Sequence, residues 1–317
     1  MKLFTGKQYT QIALANAYGK DRETWDKRLQ WVMDNHDKLD KLAPEAKETF
    51  QYVKAFGAYQ QALRGEPTGF LMGLDATASG IQSMACLTGC EETGRAVNLI
   101  NTGNREDVYD LVARKMGWER DDVKKPLMVH YYGSEAVPEK TFGTDVDSFY
   151  DALDGLLPGA EDCMELFQSL WNPTALEYSW VMPDKHVVVF KVLEVEDKKV
   201  EVDELDHATF TYRTQVNKPK SFGLAMAANA THSVDSYICR EMIRRCKFPM
   251  LPIHDCFFAH PNDMNHVRRI YTEVLSDICQ MDLLKDMVRQ IAGRSMPVPK
   301  KKSDLHRLVL QSEYALS

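Results

Sequence analysis

Two aspartates, each at the end of a short apolar run, are the residues of this chain best suited to chemistry. Asp75 follows the sequence FLMGL, and Asp255 follows MLPIH. We predict that both runs are strands of one sheet, so that the two carboxylates lie close together. Adjacent carboxylates need cations to balance their charge, and a pair of divalent metal ions assists in-line displacement at phosphorus. For either aspartate alone, a helix cap or a turn residue is the simpler interpretation.

A basic pair between the two aspartates could hold an anion. Arg120 and Lys124 are four residues apart, so on a helix they share one face and repel each other by roughly 0.2–0.5 kcal/mol. A bound phosphate would reverse that repulsion, whereas an ordinary solvated helix with acidic neighbours is an equally good explanation. Pro126 predicts that the helix kinks or restarts, because proline lacks the backbone N–H that the helix needs.

The aromatic and histidine residues nearby allow two interpretations each. Tyr132, followed by Gly133, is either a core aromatic before a helix stop or a ring that stacks on a base, with the glycine leaving room for a template. His232 and His254 are either core histidines or groups near the metal ions and the primer terminus. For each histidine alone, the core interpretation is the better one.

Composition limits the class of protein. The chain has 317 residues, seven cysteines and a formal net charge of −7. That charge argues against gripping nucleic acid with the whole surface, although it allows a basic cleft. The sequence contains no apolar run near the length of a membrane helix, and its cysteines fit a reducing compartment. We therefore predict a globular cytoplasmic protein without a membrane partner.

The order of predicted elements indicates an α+β fold. Helices dominate at both sides of the first aspartate, and short strands surround the second. A helix is predicted directly after the turn that follows Asp75. A long hairpin is predicted to turn at three charged residues, and a helix is predicted to precede the last two strands. The corresponding segments are helices over 9–63, a strand over 70–74, a helix over 81–87, helices over 97–168, a hairpin over 187–213 turning at 197–199, a helix over 233–246, and strands over 250–253 and 256–258.

Together these residues resemble the three polymerase motifs of the single-subunit bacteriophage and mitochondrial RNA polymerases, in the order of that family. The resemblance covers nearly the whole chain. It consists of Asp75 in DATASGIQ followed by GRAVNL, then Arg120, Lys124, Tyr132 and Gly133 in the spacing R-x3-K-x7-YG, then HSVDS from His232, and finally Asp255 in IHDCF.

The resemblance implies a two-metal nucleotidyl transfer. Asp75 and Asp255, with the carbonyl of Ala76, would bind two Mg²⁺ ions. Arg120 and Lys124 would hold the triphosphate of the incoming nucleotide, and Lys124 would donate to the pyrophosphate leaving group. Tyr132 would lie beside the incoming ribose, and His232 would contact the nucleotide or the hybrid. Gly133, next to Tyr132 in the second motif, would be part of the same substrate-binding set.

Ribonucleotides rather than deoxyribonucleotides are the expected substrates. Related DNA polymerases carry a glutamate in the first motif that blocks the ribose 2′-hydroxyl, whereas the stretch from Ser79 to Gln82 has no acidic side chain. Two alternatives stay open: a non-catalytic nucleic-acid-binding or assembly subunit, and a template-dependent DNA polymerase.

The resemblance also implies an architecture and partners. A right-hand palm with a small antiparallel sheet would comprise residues 1–95 and 233–317, and mostly helical fingers, including the hairpin at 187–213, would comprise residues 96–232. The chain has no counterpart of the family's N-terminal promoter and thumb regions. We therefore expect the catalytic subunit of a split, heterodimeric phage enzyme that acts on DNA template, RNA and nucleoside triphosphates in the infected bacterial cell. The hairpin is acidic, so accessory promoter or single-strand-binding factors are expected as further partners.

Overall fold

The computed structural model describes residues 1–223 and 225–317. The part before the first strand is helical, as predicted. Helix α1 starts in a capping box, in which Thr5 Oγ1 accepts from the backbone N–H of Gln8 and Gln8 Oε1 accepts from the backbone N–H of Thr5. A π-helical turn and a 3₁₀ segment link this helix to the two that follow. The three α-helices are α1 (Gly6–Ala15), α2 (Trp25–Asp34) and α3 (Thr49–Leu63).

The central sheet has three antiparallel strands in the order β1-β7-β6. Strand β1 spans Met72–Asp75, β6 spans Met250–Ile253 and β7 spans Cys256–Ala259. In the register of this sheet Asp75 lies opposite Cys256, so the first aspartate is beside the turn that carries the second. The prediction of strands on both sides of Asp255, with that residue at the bend, is confirmed.

The helix after β1 forms the centre of the core. Helix α4 spans Ser79–Thr88, and all of its residues from Gly80 onward are buried. A helix that is buried on every side must be covered by several neighbours. It packs against the long helix before β6, against the helix after β7 and against a helix of the insertion. The turn that holds Asp75 is therefore fixed from behind by the most enclosed helix of the molecule.

The insertion between α4 and the second half of the sheet is mostly helical. Helix α7 is continuous through Pro126, so the predicted restart of the helix at this proline is wrong. The six helices are α5 (Glu91–Ala96), α6 (Val108–Met116), α7 (Arg120–His130), α8 (Ala136–Phe142), α9 (Val146–Leu156) and α10 (Pro158–Ser169).

The segment that was predicted as one long hairpin forms parts of two hairpins. Strand β2 (Glu177–Val181) pairs with β3 (Val187–Lys191), and β4 (Leu193–Val202) pairs with β5 (Ala208–Asn217). The predicted turn at residues 197–199 is wrong, because these residues lie within β4. The chain instead reverses at residues 203–207, where Asp206 and His207 adopt positive φ angles. Asparagine and aspartate enter this region more readily than lysine does.

The last part of the chain is again helical around β6 and β7. The long helix α11 begins at Ala225, about two turns before the predicted start near Ser233, because alanine and methionine there favour helix. Asp235 therefore lies in the middle of the helix rather than in its first turn. The four helices are α11 (Ala225–Arg245), α12 (Met264–Gln280), α13 (Leu283–Ala292) and α14 (Leu305–Leu308). In the described ranges, no helix combines the length and the apolar character needed to cross a membrane. The predicted α+β fold is confirmed.

A buried arginine joins the two ends of the chain. Arg268 on α12 is 2% exposed, and its Nη groups donate to the carbonyl oxygens of Lys2 and Glu313, to the Tyr9 hydroxyl and to the Glu313 carboxylate. Its guanidinium also lies over the rings of Phe4 and Trp25. Every one of these partners would lose a charged donor if the side chain were shortened.

We predict that Arg268→Ala lowers the free energy of unfolding by about 3–5 kcal/mol, because it leaves the Glu313 carboxylate without its buried partner. Urea denaturation of the two proteins measures the difference. Arg269→Ala is the matched control, since Arg269 is the next residue of the same helix and its side chain is 61% exposed. Equal stability of the Arg268 and Arg269 variants would contradict the prediction.

Candidate active site

Backbone hydrogen bonds bring the two aspartates together. The N–H of Ala76 donates to the Asp255 carbonyl oxygen at 3.0 Å, directly after Asp75 leaves β1. Asp255 occupies the turn between β6 and β7, in which His254 has a φ of 54°. Both aspartates line one cavity of about 570 Å³. The predicted convergence of Asp75 and Asp255 at one edge of a sheet is therefore what the structure has.

The electrostatics of this carboxylate pair favour a bound cation. Burial raises the pKa of Asp255, and the neighbouring Asp75 raises that pKa further. A hydrogen bond from Ser79, at the start of α4, opposes part of this effect. A buried carboxylate with a second carboxylate beside it gains stability when a positive charge lies between the two. Their oxygens are also the hard ligands that Mg²⁺ prefers.

The turn between β1 and α4 is held by a network of buried polar groups. Gln82 Nε2 donates to Thr77 Oγ1 at 3.0 Å and to the Val97 carbonyl oxygen at 2.9 Å. Tyr271, on α12, donates its hydroxyl to Gln82 Oε1 at 2.7 Å. Ala78 has a φ of 63°, a conformation that is unfavourable for an alanine and that must be stabilised by its surroundings. This network fixes the direction in which Asp75 points.

The predicted anion-binding pair lies in the wall of the same cavity. Arg120 and Lys124 are one turn apart on α7, and both line the cavity that contains Asp75 and Asp255. Arg120 Nε donates to Asp107 Oδ2 at 2.7 Å, and its guanidinium lies 5.3 Å from the centre of the Tyr109 ring. Lys124 is exposed to the cavity. Arg120 Nη1 also pairs with Asp121 Oδ1 at 3.1 Å, and Asp121 is one of the acidic neighbours expected for an ordinary solvated helix.

Tyr132 lines the cavity, whereas Gly133 and His232 do not. The Tyr132 ring is 37% exposed, and its centre lies 4.8 Å from that of His232. Gly133 has a φ of 86°, a left-handed conformation that ends the α7 region. Burial lowers the pKa of His232, and the nearby His254 lowers it further, so both effects favour the neutral imidazole. Both side chains are exposed rather than in the core, and of the two only Tyr132 lines the cavity.

A second cluster that could hold a cation lies elsewhere. Glu201, Asp203 and His207 come together at the exposed end of the β4–β5 hairpin. Exposed acidic groups of this kind are common without an ion, and the cluster is outside the cavity described above.

Several functional candidates could not be found by sequence reasoning. Arg105, Asp107 and Tyr109 line the cavity from the loop before α6 and from its first turn, and Ser317 lines it from the end of the chain. Asp235 approaches from α11 and accepts a hydrogen bond from Ser83 Oγ at 2.9 Å. Burial raises the pKa of Asp235 to about 7, and the charge of Asp255 adds to that increase. The one available signal was the position of Asp235 three residues after His232, in the motif HSVDS.

Comparisons with known proteins agree with this geometry. Residues 4–130 match the family described as DNA-dependent RNA polymerase. The chain is also 22% identical over 369 aligned positions to the DNA-directed RNA polymerase of Pseudomonas phage phiKMV. The chain is therefore similar in sequence to DNA-dependent RNA polymerases. The alignment covers 92% of the chain and 45% of the phiKMV protein, so the chain spans about half the length of that relative.

The family match covers only part of the site. It includes Asp75, Arg120 and Lys124, and it ends at His130, before Tyr132 and Asp255. The assignment of Tyr132 and Asp255 to the site therefore depends on the three-dimensional arrangement and on the longer alignment to the phiKMV protein.

Asp235 generates a prediction about pH. A carboxyl group whose pKa is higher in the folded than in the unfolded protein contributes stability below the unfolded value of about 4, and that contribution is lost as the pH rises through about 7. We therefore expect Asp235→Asn, which can still accept the Ser83 hydrogen bond, to be about 1–3 kcal/mol more stable than wild type at pH 8 in EDTA, with the difference shrinking toward pH 5.

Urea denaturation at the two pH values measures this change. Asp286→Asn is the control, because it makes the same change at a side chain that is 56% exposed. A difference between Asp235→Asn and wild type that is the same at pH 5 and pH 8 would show that the titration of Asp235 is not its source.

Proposed function

We propose that this chain is the catalytic part of a DNA-directed RNA polymerase, which transfers nucleotides from nucleoside triphosphates to the 3′ end of RNA on a DNA template. The observation that carries the proposal is the shared cavity. Asp75 and Asp255 lie on its sheet edge, and Arg120 and Lys124 line its wall. A pair of carboxylates that faces a pair of cations suits a reaction in which one group binds metal ions and the other binds phosphates.

Two Mg²⁺ ions fit the residues of the sheet edge. The donor set that we propose is the carboxylates of Asp75 and Asp255 with the carbonyl oxygen of Ala76, all of which are oxygen ligands. Burial, and to a smaller extent the charge of Asp75, raise the pKa of Asp255, and a bound cation would offset both effects. When bound, the ions would activate the RNA 3′-hydroxyl for attack on the α-phosphorus and would neutralise the charge that develops on the phosphates.

The other residues would bind and position the substrates. Arg120, held by Asp107, presents a fixed positive charge to the triphosphate, and Lys124 supplies a mobile ammonium group for the pyrophosphate that leaves. The Tyr132 ring, packed on His232, would lie beside the incoming ribose and base. Gly133 would leave space for the template, and His232 would contact the nucleotide or the hybrid. Catalysis in such a site comes mainly from positioning and from electrostatic stabilisation.

The space around Gly80 supports ribonucleotides as substrates. A Cβ atom added to Gly80 would lie 4.0 Å from the Tyr132 hydroxyl and 3.3 Å from Thr231 Cγ2. A longer acidic side chain at this position would therefore extend toward the ring that we propose contacts the ribose. This observation favours an RNA polymerase over a template-dependent DNA polymerase.

We also propose the division into palm and fingers and the need for a second polypeptide. Residues 1–95 and 233–317 would form the palm, and residues 96–232 the fingers. In this proposal a partner subunit would supply the N-terminal and thumb regions in a heterodimer. DNA template, RNA and nucleoside triphosphates would be the substrates, in the cytoplasm of an infected bacterial cell. The β4–β5 hairpin is rich in exposed acidic residues, so promoter selection would depend on accessory factors.

Extension of an RNA primer on a single-stranded DNA template tests the proposal. The assay contains Mg²⁺ and ribonucleotides, with this chain alone and with the protein encoded next to it. We expect Asp255→Ala to reduce extension at least about a thousandfold, because it removes a metal ligand worth several kcal/mol in the transition state. Asp304→Ala is the matched control, since its side chain is 71% exposed.

The result separates the candidate functions. Extension that survives in Asp255→Ala would remove the proposed metal site. A folded wild-type protein that does not extend a primer in either mixture would favour a non-catalytic subunit that binds nucleic acid or a partner.

A second prediction concerns the sugar. We expect Gly80→Glu to raise the KM for ribonucleotides at least about tenfold relative to deoxyribonucleotides, because the new side chain would meet the 2′-hydroxyl. Gly80→Ala is the matched control, since it adds only the Cβ atom and needs a shift of a few tenths of an ångström at Thr231. Competition between the two nucleotide types in the extension assay measures the preference. An unchanged preference in Gly80→Glu would refute the assignment of this position.

A further inference from the structure

Arg105 is a positively charged residue in the wall of the cavity. It lies in the loop that leads to α6, and its Nε donates to Ser317 Oγ at 3.0 Å. The N–H of Ser317 in turn donates to the Asp75 carbonyl oxygen at 2.9 Å. The guanidinium is therefore connected through one residue to the strand that carries the first metal-binding aspartate.

Arg105 has no ion-pair partner of its own among the described residues. None of their carboxylates lies within 4 Å of its guanidinium nitrogens, and its two terminal nitrogens make no hydrogen bond to any of them. Among the described residues, three fully enclosed side-chain polar atoms have no hydrogen-bond partner, namely His130 Nδ1, Tyr131 OH and Thr231 Oγ1. The terminal nitrogens of Arg105 are not among them. The terminal nitrogens of Arg105 therefore have access to the solvent of the cavity.

The carboxylates near Arg105 are committed to other groups. Asp107 Oδ1 accepts from the first N–H groups of α6, and its Oδ2 accepts from Arg120 at 2.7 Å. Arg22 also reaches Asp107, at 3.9 Å. Asp21 forms an ion pair with Lys47 at 3.8 Å. Arg22 and Arg120 thus pair with Asp107, and Arg120 pairs with Asp121 as well, whereas Arg105 pairs with none of the described carboxylates.

Like charges that are held together in a partly buried wall are unfavourable. Burial lowers the pKa of Arg105; Asp107 and Asp21 oppose this in part, while Arg120 and Arg22 lower it further. A bound anion offsets such repulsion, and a guanidinium presents paired N–H groups that match the oxygens of a phosphate.

A purely structural role does not explain the residue type. Holding Ser317 Oγ takes one hydrogen-bond donor, which a neutral amide could supply without burying a charge. The two unused terminal nitrogens and the lack of a counter-ion point to a ligand that carries negative charge.

We propose that Arg105 is a further phosphate-binding residue of the nucleotide site, which contacts the triphosphate of the incoming nucleotide together with Arg120 and Lys124. The inference rests on the proposed polymerase function. A triphosphate is favoured over a single backbone phosphate because it concentrates several negative charges in one place, and the wall concentrates several cations in one cavity.

Binding without turnover tests the assignment. Titration of the full chain with inorganic tripolyphosphate and with ATP, in Mg²⁺ and without primer or template, gives the dissociation constants. We expect Arg105→Ala and Arg105→Gln to weaken the binding of both ligands about tenfold or more, and Arg105→Lys to weaken it less, because the lysine keeps the charge but not the fork. In primer extension, the same variants should raise the KM for ribonucleotides more than they lower kcat.

Two further variants make the test specific. Arg114→Ala removes an equal charge from an exposed position on α6, where the side chain is 75% exposed, and should leave both dissociation constants unchanged. Ser317→Ala removes the only hydrogen-bond partner of Arg105 among the described residues and should weaken ligand binding less than Arg105→Ala does. Melting temperatures establish that each variant is folded.

The contrary outcomes are distinct. Wild-type affinity for tripolyphosphate in Arg105→Ala, with weakened binding of a primer and template, would assign Arg105 to the nucleic-acid backbone and overturn the proposal. Equal losses in Ser317→Ala and Arg105→Ala would show that Arg105 only positions the end of the chain. A wild-type protein that neither binds tripolyphosphate nor extends a primer would refute the proposed function itself.

Discussion

The pairing of β1 with β7 is the constraint on which the rest of the site depends. It places Asp75 opposite Cys256, and the hydrogen bond from Ala76 to the Asp255 carbonyl fixes the backbone of one aspartate against that of the other. A shift of one residue in this register would turn every side chain of β1 to the opposite face of the sheet. The two carboxylates would then no longer face the same cavity, and Arg120 and Lys124 of α7 would no longer share that cavity with a carboxylate pair.

The molecule maintains this register from behind the sheet rather than within it. A sheet of three strands of four residues each is small, so its stability must come from what packs against it. Helix α4 supplies an apolar core, and the hydrogen bonds of Gln82 tie the turn after β1 to α12 and to residues 314–317. Residues that are far apart in the chain thus determine the position of Asp75. A substitution of Tyr271 would therefore alter the site, although Tyr271 does not line the cavity.

Local patterns predicted the parts of the site that lie on single elements. Asp75 and Asp255 each follow an apolar run, and Arg120 and Lys124 have the spacing of one helix face, so sequence alone could assign them to strands and to α7. Arg105, Asp107 and Ser317 could not be predicted, because they meet the cavity only after loops and the end of the chain have folded onto it. The hairpin turn was misplaced for a related reason. Charged residues at 197–199 have turn character, but cross-strand pairing of β4 with β5 over ten residues outweighs that local preference.

The net charge of −7 and the basic wall of the cavity are compatible because electrostatic binding depends on local fields. The acidic residues of the β4–β5 hairpin are exposed to solvent, where salt screens them over about 10 Å. The cations of the wall are partly enclosed, so their field acts on a bound anion with less screening. The same enclosure makes the empty arrangement unfavourable, since carboxylates repel each other on one side and guanidinium groups do so on the other. In the proposed function, metal ions would bind on the carboxylate side and phosphates on the cationic side, and each would offset the repulsion there.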